Sequence, residues 1–253
     1  MTRPHLPELA RSSDPSSDPL EGIDLVVFDK DGTLIDFQAM WGGWVRTLAE
    51  DLSLSTGLVV TGLLFDLLGV DRSTGLVHSH GLLAATPMAR IREVVVDAVA
   101  SLGLGEAAAE AVVAAAWRAP DPVELAHPLT DLAKLCGALE KRGITITIAT
   151  SDNREPTERT LAAIGIAERV TALVCADDGF LVKPAPDGVR HLCAVVGIPP
   201  DRTAVVGDSP VDLAMGRAAA VRRVIGVLTG VGDRASLDSA DILLESVADL
   251  IPR

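Results

Sequence analysis

DLAKLCGALEKRGITITIA, residues 131–149, pairs a helix pattern with a short run of β-branched residues of strand length. The same pairing then recurs. PTERTLAAIG (156–165) precedes TALVCA (171–176), and DGVRHLCAVVG (187–197) precedes TAVVG (203–207). VDLAMGRAAA (211–220) precedes RRVIGVL (222–228), and ADILL (240–244) closes the series as a last short strand. Helix and strand alternating at this spacing build βαβ units, hence a parallel sheet covered on both faces. Upstream, IDLVVF (23–28) is another buried-strand run. The expected fold class is α/β, a doubly wound Rossmann-like parallel sheet.

Between these strand signals lies a block of a different kind. AMWGGWVRTLAEDL, LVVTGLLFDLLG, MARIREVVVDAVASLG and EAAAEAVVAAAW, within about 37–118, carry apolar residues at three- and four-residue steps. The proline-rich APDPVELAHP (119–128) leads back out. This predicts an inserted all-helical block over 37–128 with its linkers, and a core made of 20–36 and 129–253. Residues 1–19, rich in Pro, Ser and Asp and without periodicity, read as a disordered leader.

Composition narrows the partners. With 22 Lys+Arg against 35 Asp+Glu, the net charge is −13, which opposes binding to nucleic acid or to an anionic membrane surface. Aromatic residues are 3% and tyrosine is absent, too few to build stacking platforms for single-stranded nucleic acid. No apolar run reaches the ~18 residues of a membrane span. Cys136, Cys175 and Cys193 form neither a paired framework nor a zinc signature, and read as buried reduced thiols in a cytoplasmic protein.

Open parallel sheets bind ligands at the carboxyl ends of their strands. Four such ends hold unusual residues. The first strand runs into Asp29-Lys30-Asp31-Gly32-Thr33-Leu34. An Asx turn accounts for Asp31 and Gly32 but leaves Asp29, at the tip of an apolar strand, unexplained. The second ends at Thr150, before Ser151-Asp152-Asn153, where helix capping is the simpler reading. Lys183 stands before Pro184 in a loop, where a lone lysine is ordinarily solvated. The fourth is Gly207-Asp208-Ser209-Pro210-Val211-Asp212. Ser209, Pro210 and Asp212 fit a capping box, and Asp208 is left over.

Taken in order, these motifs resemble the haloacid dehalogenase-like hydrolases, whose pattern is DxDGT, a Thr or Ser after a strand, a Lys often followed by Pro, then GDSxxD. The resemblance spans about 23–250. It implies the doubly wound sheet, a helical cap between the first two motifs, and Mg²⁺ held by Asp29, Asp208 and the main-chain carbonyl of Asp31. The residue types suit phosphate-ester chemistry. A carboxylate, Asp29, attacks phosphorus to give an acyl phosphate. Asp31 protonates the leaving alkoxide and then activates water. Lys183 and the Thr150 hydroxyl hold phosphoryl oxygens, and Asp212 orients the site from behind, through metal waters or Lys183. The second acid of DxDGT, absent from dehalogenases of this group, favours a phosphate monoester of a small metabolite. Phosphoglycolate or a sugar phosphate is the substrate suggested by analogy. A phosphosugar mutase and a catalytically silent phosphate-binding regulatory module remain as alternatives, and monomer and homodimer are equally open.

Weaker signals surround these. Lys30 departs from the apolar residue common between the two acids. It either turns to solvent or adds positive potential at the entrance for an anionic substrate. Thr33, His78, His80 and Arg90 are further candidates for substrate contact, with Arg92 beside Arg90. Trp41 and Trp44 read as the apolar face of the first cap helix. Gly226 to Gly232 is glycine-spaced but opens onto no convincing helix, so a dinucleotide site is not expected.

Overall fold

The computed structural model describes residues 18–78, 81–86, 88–118 and 126–252. Six strands, β1 (Leu25–Phe28), β2 (Thr145–Ala149), β3 (Ala172–Val174), β4 (Thr203–Gly207), β5 (Arg223–Val227) and β6 (Ile242–Leu244), form one sheet in the order β3-β2-β1-β4-β5-β6. Every pairing is parallel. The chain builds outward from β1 on one side and then crosses to the other. The place where the order reverses, between β1 and β4, opens a crevice at the strands' carboxyl ends.

Strand alternation divides the core in two. Val26, Phe28, Ile146 and Ile148 pack with Leu132, Leu135 and Leu139 of one helix and Leu161 of another. These helices are Leu132–Lys141 and Arg154–Ala163. Leu25, Val27, Val205 and Val224 pack on the opposite face with Val189, Leu192 and Leu213, carried by helices Asp187–Val196 and Pro210–Ala219. Side chains of consecutive strand residues point to opposite faces, so four apolar residues in a row require cover on both. The sheet has it.

Between β1 and β2 the chain forms α1 (Phe37–Thr56), α2 (Thr61–Leu68), α3 (Leu82–Ala85), α4 (Met88–Val99) and α5 (Glu106–Ala116). In chain order the four helices of the sheet layers are then α6 to α9. Asp36 starts α1, its carboxylate accepting the Ala39 N–H at 3.0 Å, and Gly57 ends it in the left-handed conformation. Trp41, Trp44, Leu48, Leu52, Leu64, Ile91, Val95 and Val113 form a core of the insert's own. Trp44 meets Trp41 and Trp117 edge-on, with ring centroids 5.7 Å and 5.1 Å apart. Trp41 and Trp44 thus do lie on the apolar face of α1.

The insert leaves and rejoins the sheet at one place. The Asp36 N–H donates to His127 O and the Leu129 N–H to Leu34 O, at 2.8 and 3.0 Å, while Ile35 bridges Pro128 antiparallel. Gln38 adds a clamp, accepting from the Val77 N–H at 2.7 Å and donating to Gly230 O at 3.4 Å. At the other end of the sheet, Asp18 and Pro19 are held, although the sequence reads them as leader. The Arg142 guanidinium pairs with Asp18, and Arg223 donates to Pro19 O at 2.6 Å. The rest of that leader, 1–17, and most of the expected linker, 119–125, lie outside the described residues.

Candidate active site

The four motifs converge on the crevice. Asp29 directly follows β1, and its N–H donates to Val206 O of β4 at 2.8 Å, which fixes it beside the end of that strand. Asp208 follows β4, and Thr150 follows β2 on the other flank. Lys183 enters from the loop before α8. Its ammonium lies 2.5 Å from Asp29 Oδ1 and 2.7 Å from Asp212 Oδ1. Asp29, Asp31, Thr150, Lys183, Asp208 and Asp212 all line one cavity of about 200 Å³.

Asp212 does two jobs. Its Oδ2 accepts from the Ser209 N–H at 3.2 Å and from the Ser209 hydroxyl, closing the box at the start of α9. Its other oxygen holds Lys183. Asp208 is fixed by the Val231 N–H on Oδ2 at 2.8 Å and by the Thr33 hydroxyl on Oδ1 at 3.3 Å. This packing leaves no room for a side chain at Gly32 (φ +82°), where a Cβ would lie 2.6 Å from Asp208 Oδ2.

Asp29, Asp208 and Asp212 are buried, and each offers an oxygen within 4.8 Å of the others. Three hard oxygen donors at this spacing fit Mg²⁺. The charge balance fits as well. Among the described residues, Lys30 pairs with Asp31 and Asp152 and Lys183 with Asp29 and Asp212, so with Asp208 five carboxylates meet two ammonium groups. Burial accordingly pushes Asp29 up to about 6 and Asp31 up to about 7, and raises Asp208 well above the usual carboxylate range, with neighbouring aspartates adding to it. Burial opposes the charge on Lys183, but Asp212 and Asp29 outweigh it and hold the ammonium protonated.

Several candidates fall elsewhere. Lys30 neither turns to solvent nor lies on the cavity wall. It is 1% exposed, 2.6 Å from Asp31 Oδ2 and 2.9 Å from Asp152 Oδ2. An ammonium stays in so dry a place only because two carboxylates surround it. Thr33 is fully buried, and its hydroxyl serves Asp208 instead of a substrate. Arg90 is exposed and pairs with Glu93 one helical turn on, at 2.6 Å, and Arg92 pairs with Glu110. His78 is exposed, and neither it nor Arg90 lines the cavity. His80 lies outside the described residues.

The insert contributes Phe37, Trp41, Leu83, Thr86 and Met88 to the same cavity, and the sheet loops add Val182, Val211 and Val231. Sequence reading passed over most of these, because an apolar residue in a helix looks like core wherever it points. Asp152 was passed over as part of a helix cap. The lysine two residues before the Gly32-Thr33 turn, opposite in charge, was the signal that could have found it.

The sequence matches the haloacid dehalogenase-like hydrolases over residues 23–220. The chain belongs to that family. A phosphoglycolate phosphatase of Rhodospirillum rubrum is 32% identical over 209 residues, 79% of this chain and 78% of the relative. The validoxylamine A 7'-phosphate phosphatase of Streptomyces hygroscopicus subsp. limoneus is 25% identical over 182 residues, 71% of this chain and 83% of its own. Among solved structures, a predicted phosphoglycolate phosphatase from Haemophilus somnus superposes with a TM-score of 0.64 at 17% identity, covering 90% of this chain and 96% of that one. This last likeness is one of fold. With relatives that are phosphatases within a hydrolase family, this haloacid dehalogenase-like chain is an enzyme, a phosphatase.

Proposed function

We propose that the chain hydrolyses the phosphate monoester of a small metabolite with Mg²⁺, through an aspartyl phosphate on Asp29. The observation that carries this is the placement of Asp29: a buried carboxylate at the sheet's switch point, bonded to Lys183 and sharing an oxygen cluster with Asp208 and Asp212. Asp29 uses its oxygen not bonded to Lys183 to form a bond to phosphorus as the ester P–O bond breaks. Lys183 and Thr150 neutralise and orient the phosphoryl oxygens. Asp31, whose carboxyl burial raises to about 7, is populated in both its protonated and ionised forms in neutral solution, and the protonated form gives its proton to the departing alkoxide. It then takes a proton from the water that attacks phosphorus, which releases inorganic phosphate and restores Asp29.

The metal, held by Asp29 and Asp208 with the Asp31 carbonyl, supplies positive charge against the repulsion between carboxylate and phosphate. Asp212 holds Lys183 in place. The helical insert, 37–128, serves as the cap that excludes water and contacts the alcohol. Three buried, unpaired cysteines suit a reducing cytoplasm, and no helix among the described residues is long and apolar enough to cross a membrane.

The test is release of inorganic phosphate from a panel of monoesters with Mg²⁺ and with excess chelator. Turnover that needs the metal and disappears in Asp29→Asn supports the reading. Full turnover in Asp29→Asn overturns the nucleophile, and no turnover of any ester overturns the enzyme.

A further inference from the structure

The insert's share of the cavity wall is Phe37, Trp41, Leu83, Thr86 and Met88, and the facing loops add Val182 and Val231. Among the described residues of this wall, Lys183 is the single cation, and Asp29 and Asp212 already hold it. Among the described residues, the other candidate cations for a second anion are engaged elsewhere. Arg90 is paired with Glu93 at the surface, Arg92 with Glu110, and Lys30 is enclosed by Asp31 and Asp152. Asp152 itself lines the cavity and adds negative charge.

A substrate bearing a carboxylate or a second phosphate would therefore set that charge against mainly aromatic and aliphatic side chains, with the hydroxyls of Thr86 and Ser151 but no uncommitted cation among the described residues to pair with it, which is unfavourable. An alkyl or aryl group in the same place gains from every apolar contact. We propose that the substrate is a monophosphate of an uncharged, predominantly apolar alcohol, and that the insert selects against a second anionic group. This rests on the phosphatase reading. It departs from the phosphoglycolate named for several relatives, because a phosphoglycolate carboxylate would face this wall.

The test compares n-butyl phosphate with phosphoglycolate, whose leaving groups are both aliphatic alkoxides, using p-nitrophenyl phosphate as a reference. In the wild-type enzyme with Mg²⁺, kcat/KM for butyl phosphate is expected to exceed that for phosphoglycolate at least tenfold. It should also rise severalfold for each methylene from methyl to butyl. Met88→Lys puts an ammonium on the wall without touching the reacting groups, and should shift the preference toward phosphoglycolate by at least tenfold. Phosphoglycolate turned over as well as butyl phosphate, or a preference that Met88→Lys leaves unmoved, would overturn the inference while p-nitrophenyl phosphate turnover leaves the phosphatase reading intact. Failure to hydrolyse p-nitrophenyl phosphate or any other ester would overturn both.

Discussion

Asp29 and Asp31 are neighbours on one short loop, yet each is paired with a different lysine. Lys183 reaches Asp29 from the loop before α8, and Lys30 reaches Asp31 from the adjacent position in the chain. The division gives each acid its own counter-charge, and replacing either acid should leave the other's pair in place. Asp31→Asn is expected to lower kcat by about 10²–10⁴-fold, the range for loss of a general acid and base, while circular dichroism stays unchanged. Lys30→Met has the opposite character. It leaves Asp31 and Asp152, both partly exposed, facing each other without the ammonium between them, and should cost about 1–2 kcal/mol in urea unfolding. Adding Asp152→Asn to Lys30→Met should recover part of that loss. A Lys30→Met protein of wild-type stability would show that this ion pair contributes nothing to the fold.

The elements divide the labour more sharply than the residues do. The ends of β1 and β4 supply the carboxylates, and the turns beyond them supply clearance. Gly32→Ala sets a Cβ 2.6 Å from Asp208 Oδ2 and strains a backbone at φ +82°. It is expected to destabilise the protein by more than about 1 kcal/mol and to weaken Mg²⁺ binding, measured by calorimetry, about tenfold. The sheet and its motifs were legible in the sequence because an acid at the tip of an apolar strand has no structural reason to be there. Asp29 and Asp208 stood out on that ground alone. Phe37, Leu83 and Met88 did not, since the same apolar residue serves a core and a cavity wall, and only packing tells them apart. Lys30 failed for a related reason. A lysine in a turn is solvated by default, and the partner that buries it, Asp152, follows a different strand.

For the whole molecule the crevice is a store of unfavourable charge. Asp29, Asp31 and Asp208 all titrate above the ordinary range. A carboxyl raised on folding binds more protons in the native than in the unfolded chain, so its contribution to stability is lost as pH rises through the folded value. Without metal, these groups should make the protein less stable at about pH 8 than at about pH 5.5, the window their values of about 6 and 7 define. Saturating Mg²⁺ should raise the melting temperature more at the higher pH, because it binds the ionised cluster. Equal metal-induced shifts at both pH values in a thermal melt would contradict this. A second whole-molecule property comes from the way the insert joins the sheet. Its two ends run antiparallel beside one another, Ile35 against Pro128, with Leu34 and Leu129 bonded just below. The sheet therefore meets the entire helical block as it would meet a hairpin loop. A block of another length or shape could be grafted at that seam without moving Asp29, and substrate preference could drift over generations while the chemistry beneath it stayed still.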